Sequence, residues 1–284
     1  MVYGRRFVMG DFKPLGFGDL VNVVNLNRMV QAHYETSGLP IGVIDAQSGQ
    51  IYASVGWQRI CTEFHRLNPR TNKRCVESDT IISAHLKRGN HYAYKCKNGL
   101  WDIGIPIYCL DDHIATIFIG QFVYEGEIPD REFFVSQAKE FGFDVDSYLE
   151  ALDEIPIFSK EKVQSMLEYN KAFAEVLSDM VTNRELLRKH SKENTLALLN
   201  ATTEAAFLIE PDGTFVAMNE TTAKRFGRSV DELVGKNAFD FLPPSLVQAR
   251  KKRAEEVMTT KKPVKFEDQH NNMILINTVY PILD

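Results

Sequence analysis

Soft metal ligands, aromatic rings and small polar side chains are concentrated in one stretch of the chain, residues 57–121. Both tryptophans fall in this stretch, together with Cys61, Cys75 and Cys96. Short apolar runs of the kind that form strands lie between them. This mixture of residue types is typical of two kinds of site, a pocket for a small ligand and a metal centre.

A metal centre is the first interpretation. Cys61 and His65 are four residues apart, so on a helix both side chains lie on one face. Together with Cys75 and Cys96 they have the softness and number of ligands for tetrahedral zinc or for an iron–sulfur cluster. The spacing is not that of a CxxC knuckle, however, and cysteines are often buried without any function. The set is therefore also consistent with core residues, which is what Cys109 is expected to be.

A ligand pocket is the second interpretation, because such a pocket needs mostly apolar walls and a few hydrogen-bonding groups. Aromatic residues in and just after the stretch would supply the walls: Trp57, Phe64, Tyr94, Trp101 and Phe122. Polar contacts would come from His65, Asp102 and Gln121. The alternative is that the aromatic residues are ordinary core and the polar groups cap helix ends. Glu77 and Asp79 are expected to be solvated charges on a helix face.

Nucleophilic catalysis would need Cys61 as a thiolate and His65 as its base, together with an orienting group and an oxyanion donor. The sequence specifies neither of the last two, so the chain is not expected to be an enzyme. Redox sensing by Cys61, Cys75 and Cys96 stays open, because clustered cysteines can cycle between dithiol and disulfide.

Composition argues against several classes of protein. The net charge of −5 argues against a general nucleic-acid binder. No apolar run approaches the ~20 residues that span a bilayer, and the N-terminus lacks the apolar segment of a secretory signal, so a cytoplasmic location is expected. With 284 residues the chain is long enough for two domains of ordinary size.

The order of elements predicts an α+β fold. Turn signals at Ser48-Gly49 and Asn98-Gly99, with strand-like runs over 101–108 and 114–124, predict a mostly antiparallel sheet. Helices are expected beside it over 19–37, 60–67 and 73–87, and in two segments capped by Asp130 and Asp144. A second hairpin of related pattern recurs at 206–219, which predicts two modules of related design.

Ser159 is expected to cap a long helix that reaches about His190. Its apolar positions, three and four residues apart, are Val163, Met166, Phe173, Leu177, Met180 and Leu187, with Asn170 and Arg184 in the gaps. This heptad spacing favours a parallel two-stranded coiled coil over a helix packed on its own domain, and a buried asparagine would set its register. A homodimer through 159–190 is therefore expected.

Residues 193–284 resemble a PAS domain. The resemblance is carried by the hairpin E-P-D-G-T-F-V-A-M-N, the helix pair F-G-R-S-V-D-E-L-V-G-K and the link F-D-F-L-P-P. The PAS pattern has one more strand, so this segment is expected to be truncated. A pocket in it would be lined by Phe207, Phe226, Phe239 and Phe241, and no haem-ligating histidine or flavin-reactive cysteine is recognised there.

Residues from about 19 to 185 resemble the PocR-type ligand-binding domain, a PAS-like sensory module of bacterial and archaeal signalling proteins. The motifs are G-W-Q-R-I-C-T-E-F-H-R-L-N-P, R-C-V-E-S-D, Y-K-C-K-N-G-L-W-D-I-G-I-P-I and G-Q-F. The resemblance implies sensing of a small molecule, such as a diol, and its pattern includes Cys61, Cys75 and Cys96. It also implies an output module downstream, often a histidine kinase or a transcription factor.

The sequence therefore predicts two PAS-like modules joined by a signalling helix. The predicted divisions are an N-terminal arm (1–18), a PocR-like domain (19–158), a linker helix (159–192) and a PAS-like domain (193–284). The predicted function is that of the sensory input region of a two-component protein, which binds a small alcohol or diol within residues 57–122 and signals through the linker to a kinase or other output domain. The alternative is a metal or redox sensor that uses the three cysteines.

Overall fold

The computed structural model describes residues 15–127, 129–270 and 273–282. The chain divides into two compact units, of which the first spans Pro14–Leu187 and the second includes Arg188–Asp284. Both units combine helices with antiparallel strands, and a long helix crosses the boundary between them. The predicted α+β class, with two PAS-like modules and a long connecting helix, is confirmed. Within the described ranges, no helix is long and apolar enough to cross a membrane.

The first unit is built on a six-stranded sheet. In chain order its strands are β1 (Ile41–Asp45), β2 (Ile51–Val55), β3 (Tyr92–Lys95), β4 (Trp101–Cys109), β5 (Asp112–Tyr124) and β6 (Ile157–Phe158). The spatial order is β2-β1-β5-β4-β3 with antiparallel pairing, and β6 adds a short parallel pair to β5. β5 therefore lies between β1 and β4, and side chains of all three strands meet on each face.

Helices cover this sheet: α1 (Phe17–Leu20), α2 (Val23–Ser37), a π-helix (Ile60–His65), α3 (Pro69–His85), α4 (Arg131–Phe141), α5 (Val145–Asp153) and α6 (Lys160–Asn200). Asp130 and Asp144 cap α4 and α5 as predicted. The helix predicted over 19–37 is instead two helices, because the Asn22 side chain accepts the Asn25 N–H and starts α2 there. α3 begins before its predicted start, because Asn68 caps it and the proline that follows suits the first helical position.

Alternation along β4 and β5 gives the sheet two distinct faces. Ile103 and Ile117 point into the main core, which also contains buried residues of α2 and α6. On the opposite face, Ile82 of α3 lies directly against Gly104 of β4. Asp102 and Gly120 share that second face. One layer of sheet therefore separates them from α6, which packs on the first face.

The buried stripe of α6 differs from the predicted coiled-coil seam. It consists of Val163, Leu167, Asn170, Ala174, Leu177 and Val181. The apolar members belong to the core of the first unit, so the predicted seam positions Val163, Asn170 and Leu177 are buried within the unit itself. Met180 and Leu187 are 42% and 70% exposed. The coiled coil stays a prediction, and only the exposed positions are free to form it.

The second unit contains two hairpins and several short helices. They are β7 (Phe207–Ile209) with β8 (Phe215–Met218), β9 (Val264–His270) with β10 (Met273–Val279), α7 (Glu220–Arg225), α8 (Val230–Leu233), a 3₁₀ turn (Ala238–Phe241) and α9 (Pro244–Thr260). Phe226 and Phe241 pack on a small apolar core around Phe215, whereas Phe207 is 40% exposed. Phe239 lies against Gly213. The four phenylalanines predicted to line a pocket therefore have different surroundings.

Candidate ligand-binding site

A cavity opens on the second face of the sheet in the first unit. It is lined by Ile44, Trp57, Arg66, Asp79, Asp102, Phe118, Gly120 and Gln121. Its empty volume is about 290 Å³, which includes space open to solvent. Three ionisable side chains and one amide thus face walls that are otherwise apolar or aromatic. A few aimed polar groups on apolar walls are the usual composition of a specific small-ligand site.

A β-bulge places Gln121 in the cavity wall. Trp101 pairs with Phe122, whereas Asp102 pairs with Gly120, so Gln121 is the extra residue of β5. Its φ of 69° lies in the left-handed region that residues other than glycine seldom adopt. The Gln58 N–H donates to Gln121 Oε1 at 2.6 Å, which connects β5 to the residue after Trp57. Bulges that re-aim a side chain are frequent next to functional sites.

Gly120 allows the Asp102 side chain to lie directly against β5. A Cβ atom at position 120 would overlap Asp102 Oδ1 and lie 2.6 Å from its Cγ. The same Cβ atom would lie 3.0 Å from the Asp102 Cα, so rotation of the carboxyl group alone would not relieve the contact. The glycine of the G-Q-F motif is therefore required by this close approach between neighbouring strands.

Asp102 is the most strongly perturbed acid of the cavity. It keeps part of its surface exposed because it lines the cavity, yet its carboxyl group is enclosed by protein. Loss of hydration and, secondly, the negative charge of Asp79 raise the pKa of Asp102 to about 8, although Arg66 opposes the shift. The carboxyl group is therefore mostly protonated at neutral pH.

Arg66 and Asp79 form an ion pair at the cavity wall. Arg66 Nη2 lies 3.2 Å from Asp79 Oδ2, and about a third of each side chain is exposed. The guanidinium carbon of Arg66 also lies 5.6 Å from the centre of the Trp57 ring. Trp57 in turn covers Gly42 of β1, where an added Cβ atom would be 3.0 Å from the ring. One guanidinium thus connects an aromatic wall to one of the two carboxyl groups.

His65 lies outside the cavity, in a second core formed by the π-helix, α4 and α5. Its Nε2 lies 2.6 Å from the Tyr148 hydroxyl and 3.2 Å from Gln137 Nε2, and its Nδ1 lies 3.9 Å from Cys61 Sγ. Burial, assisted by the positive charges of Arg66 and Arg74, lowers the pKa of His65 to about 3. His65 is therefore a neutral, hydrogen-bonded core residue at physiological pH.

The cysteines of the predicted metal set are free and surrounded by protein. Burial raises the pKa of Cys61, Cys75 and Cys96, to about 12 for Cys96. Metal binding and disulfide exchange both need the thiolate form. In the part of the chain that the structure describes, no group of three or more His, Cys, Asp or Glu side chains is arranged to hold a metal ion. The metal and redox hypotheses stay predictions that this geometry does not favour.

The structure brings three of the predicted pocket residues to the cavity: Trp57, Asp102 and Gln121. Phe64 instead packs in the second core, with its ring centre 5.2 Å from that of Tyr148. Trp101 lies at the edge of the main core, where its Nε1 donates to Glu127 at 2.8 Å. Tyr94 pairs with Asp102 across the β3–β4 ladder but is not part of the cavity lining.

Sequence patterns did not point to Arg66 or Asp79 as cavity residues. The prediction for Asp79 as a solvated charge differs from the structure, in which it is ion-paired and lines the cavity. The two residues are thirteen positions apart, and only the turn between the π-helix and α3 brings them together. A glycine inside a strand, as at Gly120, was the available signal, because such glycines mark bulges or close approaches.

Comparison with known proteins gives two family matches. The model for the sensory domain found in PocR matches residues 19–182, and the model for a PAS fold matches residues 199–283. No curated protein matches the chain.

Two solved structures show a weak similarity. The E. coli DhaR(N)–DhaL complex is 12% identical, with a TM-score of 0.31 over 92% of this chain and 82% of that chain. An RNA-binding light-oxygen-voltage receptor is 13% identical, with a TM-score of 0.23 over 87% of this chain and 91% of that chain. Because the PocR model covers more than half of the residues, the chain belongs to the family of sensory domains found in PocR, here followed by a PAS fold, and it is a sensory signalling region.

Proposed function

We propose that the first unit binds a small molecule in the cavity between β1, β4, β5 and α3, and that binding is relayed through α6. The observation that supports this proposal is the cavity itself. An acid with an unusual pKa, an ion pair and a tryptophan wall meet there around a bulged strand, in a domain of a sensory family. Perturbed acids grouped in a cleft are typical of functional sites.

A short series of contacts connects the cavity to the start of α6. Gln121 lines the cavity, and the next residue, Phe122, points into the main core on the other face of the sheet. The ring of Phe122 meets that of Phe158 edge-on at 5.8 Å. Phe158 belongs to β6, which ends two residues before α6 begins, and Ser159 caps that helix. A ligand that moves the bulge would therefore move β6, provided that it binds one arrangement better than the other.

The exposed side of α6 supports a homodimer as the receiver of this signal. It includes an apolar stripe of Tyr169, Phe173, Val176, Met180 and Leu187, spaced by four, three, four and seven residues. Tyr169, Val176, Met180 and Leu187 are between 42% and 70% exposed, and Phe173 is half-buried. A stripe of this heptad spacing matches a parallel two-helix contact. We propose that it pairs two copies and that a downstream output domain, such as a histidine kinase, responds to the pairing.

Ligand binding is tested by a thermal-shift screen of small alcohols, diols, amines and acids. Ile44 lines the cavity, so Ile44→Phe should fill it and abolish any shift that a ligand causes. Ile51, its antiparallel partner on β2, is 48% exposed, so Ile51→Phe is the matched control. A compound that stabilises wild type and Ile51→Phe but not Ile44→Phe supports the site. Equal shifts in all three proteins, or no shift by any compound, would contradict it.

The dimer is tested separately by sedimentation. Val176→Glu places a charge in the exposed stripe and should convert the dimer to a monomer without loss of fold. Gln164→Glu, on another side of α6, is the control and should leave the mass unchanged. A wild-type protein that is monomeric at high concentration would contradict the dimer and leave the ligand site unaffected.

A further inference from the structure

The cavity contains two carboxyl groups but one guanidinium. Arg66 is paired with Asp79 at 3.2 Å. Among the described residues, no cationic group lies within 4 Å of the Asp102 carboxyl group, and Arg66 acts on it only at longer range. If both acids were ionised, the cavity would carry one negative charge without a partner. A buried charge of this kind is expensive unless a counter-charge is supplied.

A carboxyl group is an unexpected choice if the ligand is uncharged. An asparagine at position 102 would offer a hydrogen-bond donor and an acceptor with nearly the same shape, and it would not have to be kept protonated. The close approach to Gly120 shows that the Asp102 side chain occupies the space that a side chain at position 120 would need. The property that only aspartate adds is its ability to become negative.

We propose that the cavity binds a small organic cation, an ammonium group whose positive charge pairs with the Asp102 carboxylate beside the Trp57 ring. This inference rests on the proposed function and names its ligand class. Aromatic faces attract cations, and Trp is the most favourable of them. Arg66, already within cation–π distance of Trp57, shows that this wall accepts positive charge.

Binding of the cation must displace a proton. Before binding, Asp102 holds a proton at neutral pH, because burial raises its pKa to about 8. The incoming ammonium group keeps its own protons, the Asp102 O–H bond breaks, and that proton goes to the buffer. The charge of the cavity is therefore zero before and after binding. Below pH 8, affinity should increase about tenfold for each unit by which the pH is raised, because a smaller fraction of Asp102 then carries the proton that binding must displace.

Other charged or titratable groups surround Asp102, and burial raises the pKa of Asp79 as well. Arg66 and Asp79 face it across the cavity, and Tyr94 lies opposite it on β3. Burial raises the pKa values of the Cys61, Cys75 and Cys96 thiols above that of an ordinary cysteine, and a negative charge on Asp102 adds to the shift. The charge of Arg66 and its hydrogen bond oppose the shift of Asp79, whereas Asp102 has no such ion pair, so we assign a proton released near neutral pH to Asp102.

The test is calorimetric titration with a matched pair of probes, 1-amino-2-propanol and 1,2-propanediol. They differ only in an ammonium group that replaces one hydroxyl. Titration at pH 7 in two buffers of different ionisation enthalpy gives the number of protons released. With a pKa of about 8 for Asp102, the amine should release about 0.9 proton per molecule bound and the diol none. All titrations contain sodium chloride at one concentration, so that an inorganic cation at the site would compete equally.

Asp102→Asn removes the ionisable group with little change of shape, so it should abolish proton release and weaken amine binding at least about tenfold. Asp153→Asn makes the same substitution at an exposed residue paired with Arg131, and should bind like wild type. Diol binding without amine binding would overturn the proposal of a cationic ligand, and so would amine binding that Asp102→Asn leaves unchanged. Either result would leave the proposed function standing. The proposal of a cationic ligand is also overturned if neither probe binds while an uncharged or acidic compound binds wild type and not Ile44→Phe. Absence of binding by every compound in both experiments overturns the proposed function as well.

Discussion

In the first unit, buried polar atoms of His33, Asn98, Gln137 and Asn170 have no hydrogen-bond partner, whereas the second unit satisfies its buried amide Asn219 at both ends. Within the described residues, all four side chains with an unpaired buried atom lie in the first unit. Each such atom costs about 1–3 kcal/mol relative to a satisfied one. Among the described residues, the first unit therefore contains unpaired buried polar atoms that lower its stability, and the second unit contains none.

Two partly buried acids, one in each unit, show a similar difference. In the second unit, Asp268 is paired by Arg250 through two hydrogen bonds of 2.7 and 3.0 Å. In the first unit, Asp102 has no such partner and is kept neutral by a proton. An acid that its own fold has already paired is a structural element, whereas one left unpaired beside a cavity is available to a ligand. The difference agrees with our proposal that the first unit binds the ligand.

The largest expected effect comes from the glycine that makes room for Asp102. Gly120→Ala should lower the free energy of unfolding of the first unit by about 3 kcal/mol or more, because the new methyl group overlaps Asp102. Both tryptophans lie in the first unit, so their fluorescence during urea unfolding reports on it. Gly16→Ala, where an added Cβ has only ordinary contacts at 3.7 Å, is the control.

The same substitution in an Asp102→Ala background isolates the contact. Removal of the carboxyl group should return part of the lost stability, although the Cα of residue 102 stays 3.0 Å from the new methyl group. Equal losses in both backgrounds would show that Gly120 is needed for another reason.

The next effect is on the pH dependence of stability. Asp102, with its pKa raised to about 8, contributes stability that is complete below about pH 3.8 and is lost as pH rises towards 8. His65, with its pKa lowered to about 3, contributes stability that is present above pH 6.5 and is lost as pH falls towards 3. The two slopes oppose each other between pH 3.8 and 6.5. Wild type should therefore be nearly flat there and lose about 1–2 kcal/mol between pH 6.5 and 8.

Asp102→Asn separates the two contributions. The variant should lose the alkaline decline and show the acid decline that His65 causes, about 1 kcal/mol per pH unit below 6.5. Urea unfolding followed by tryptophan fluorescence at several pH values measures both. An alkaline decline that persists in Asp102→Asn would place the perturbed group elsewhere.

A smaller effect, an increase in stability, is expected when the unsatisfied amide of Asn170 is removed from the first unit. Asn170 is fully buried in α6, its Nδ2 donates to Met166 O at 2.8 Å, and its Oδ1 has no partner. Asn170→Leu replaces this unsatisfied amide by an apolar side chain and should raise the free energy of unfolding by about 1–2 kcal/mol. Ser165→Leu, at an exposed position of the same helix, should change it by less than about 0.5 kcal/mol. Destabilisation by Asn170→Leu would show that the Asn170 amide does not lower the stability of the first unit.

The smallest expected effect concerns the reactivity of the buried thiols. Because burial raises their pKa values, Cys61 and Cys75 should react with a disulfide reagent far more slowly in the native protein than in denaturant, and no metal is needed to explain this. Rapid reaction of either thiol in the native state, or about one equivalent of tightly held zinc or iron on analysis, would restore the redox or metal hypothesis.

Sequence patterns predicted what depends on neighbouring residues. The α+β class follows from turn signals and apolar periodicity, and the Asp130 and Asp144 caps depend on the three residues that follow each. Trp57, Asp102 and Gln121 were recognised as polar and aromatic residues of one stretch. Three-and-four spacing describes a helix stripe equally well whether the partner is a sheet or a second helix, so it did not separate the α6 positions buried in the first unit from the exposed ones.

The remainder of the site depends on pairings between distant residues. The bulge at Gln121 exists only in the register of β4 with β5, and the Arg66–Asp79 pair only in the turn between two helices. The pKa of Asp102 depends on both. No local pattern contains this information, since the same residues in another register would be solvated charges.

Hydrogen exchange followed by mass spectrometry tests the central claim most directly. It is measured with and without a saturating amount of the compound that best stabilises the protein in the screen. We expect slower exchange in residues 57–66, 101–103 and 118–123, a change at 157–165 where α6 begins, and loss of all these effects in Ile44→Phe. Protection confined to the second unit, or equal protection in Ile44→Phe, would contradict it.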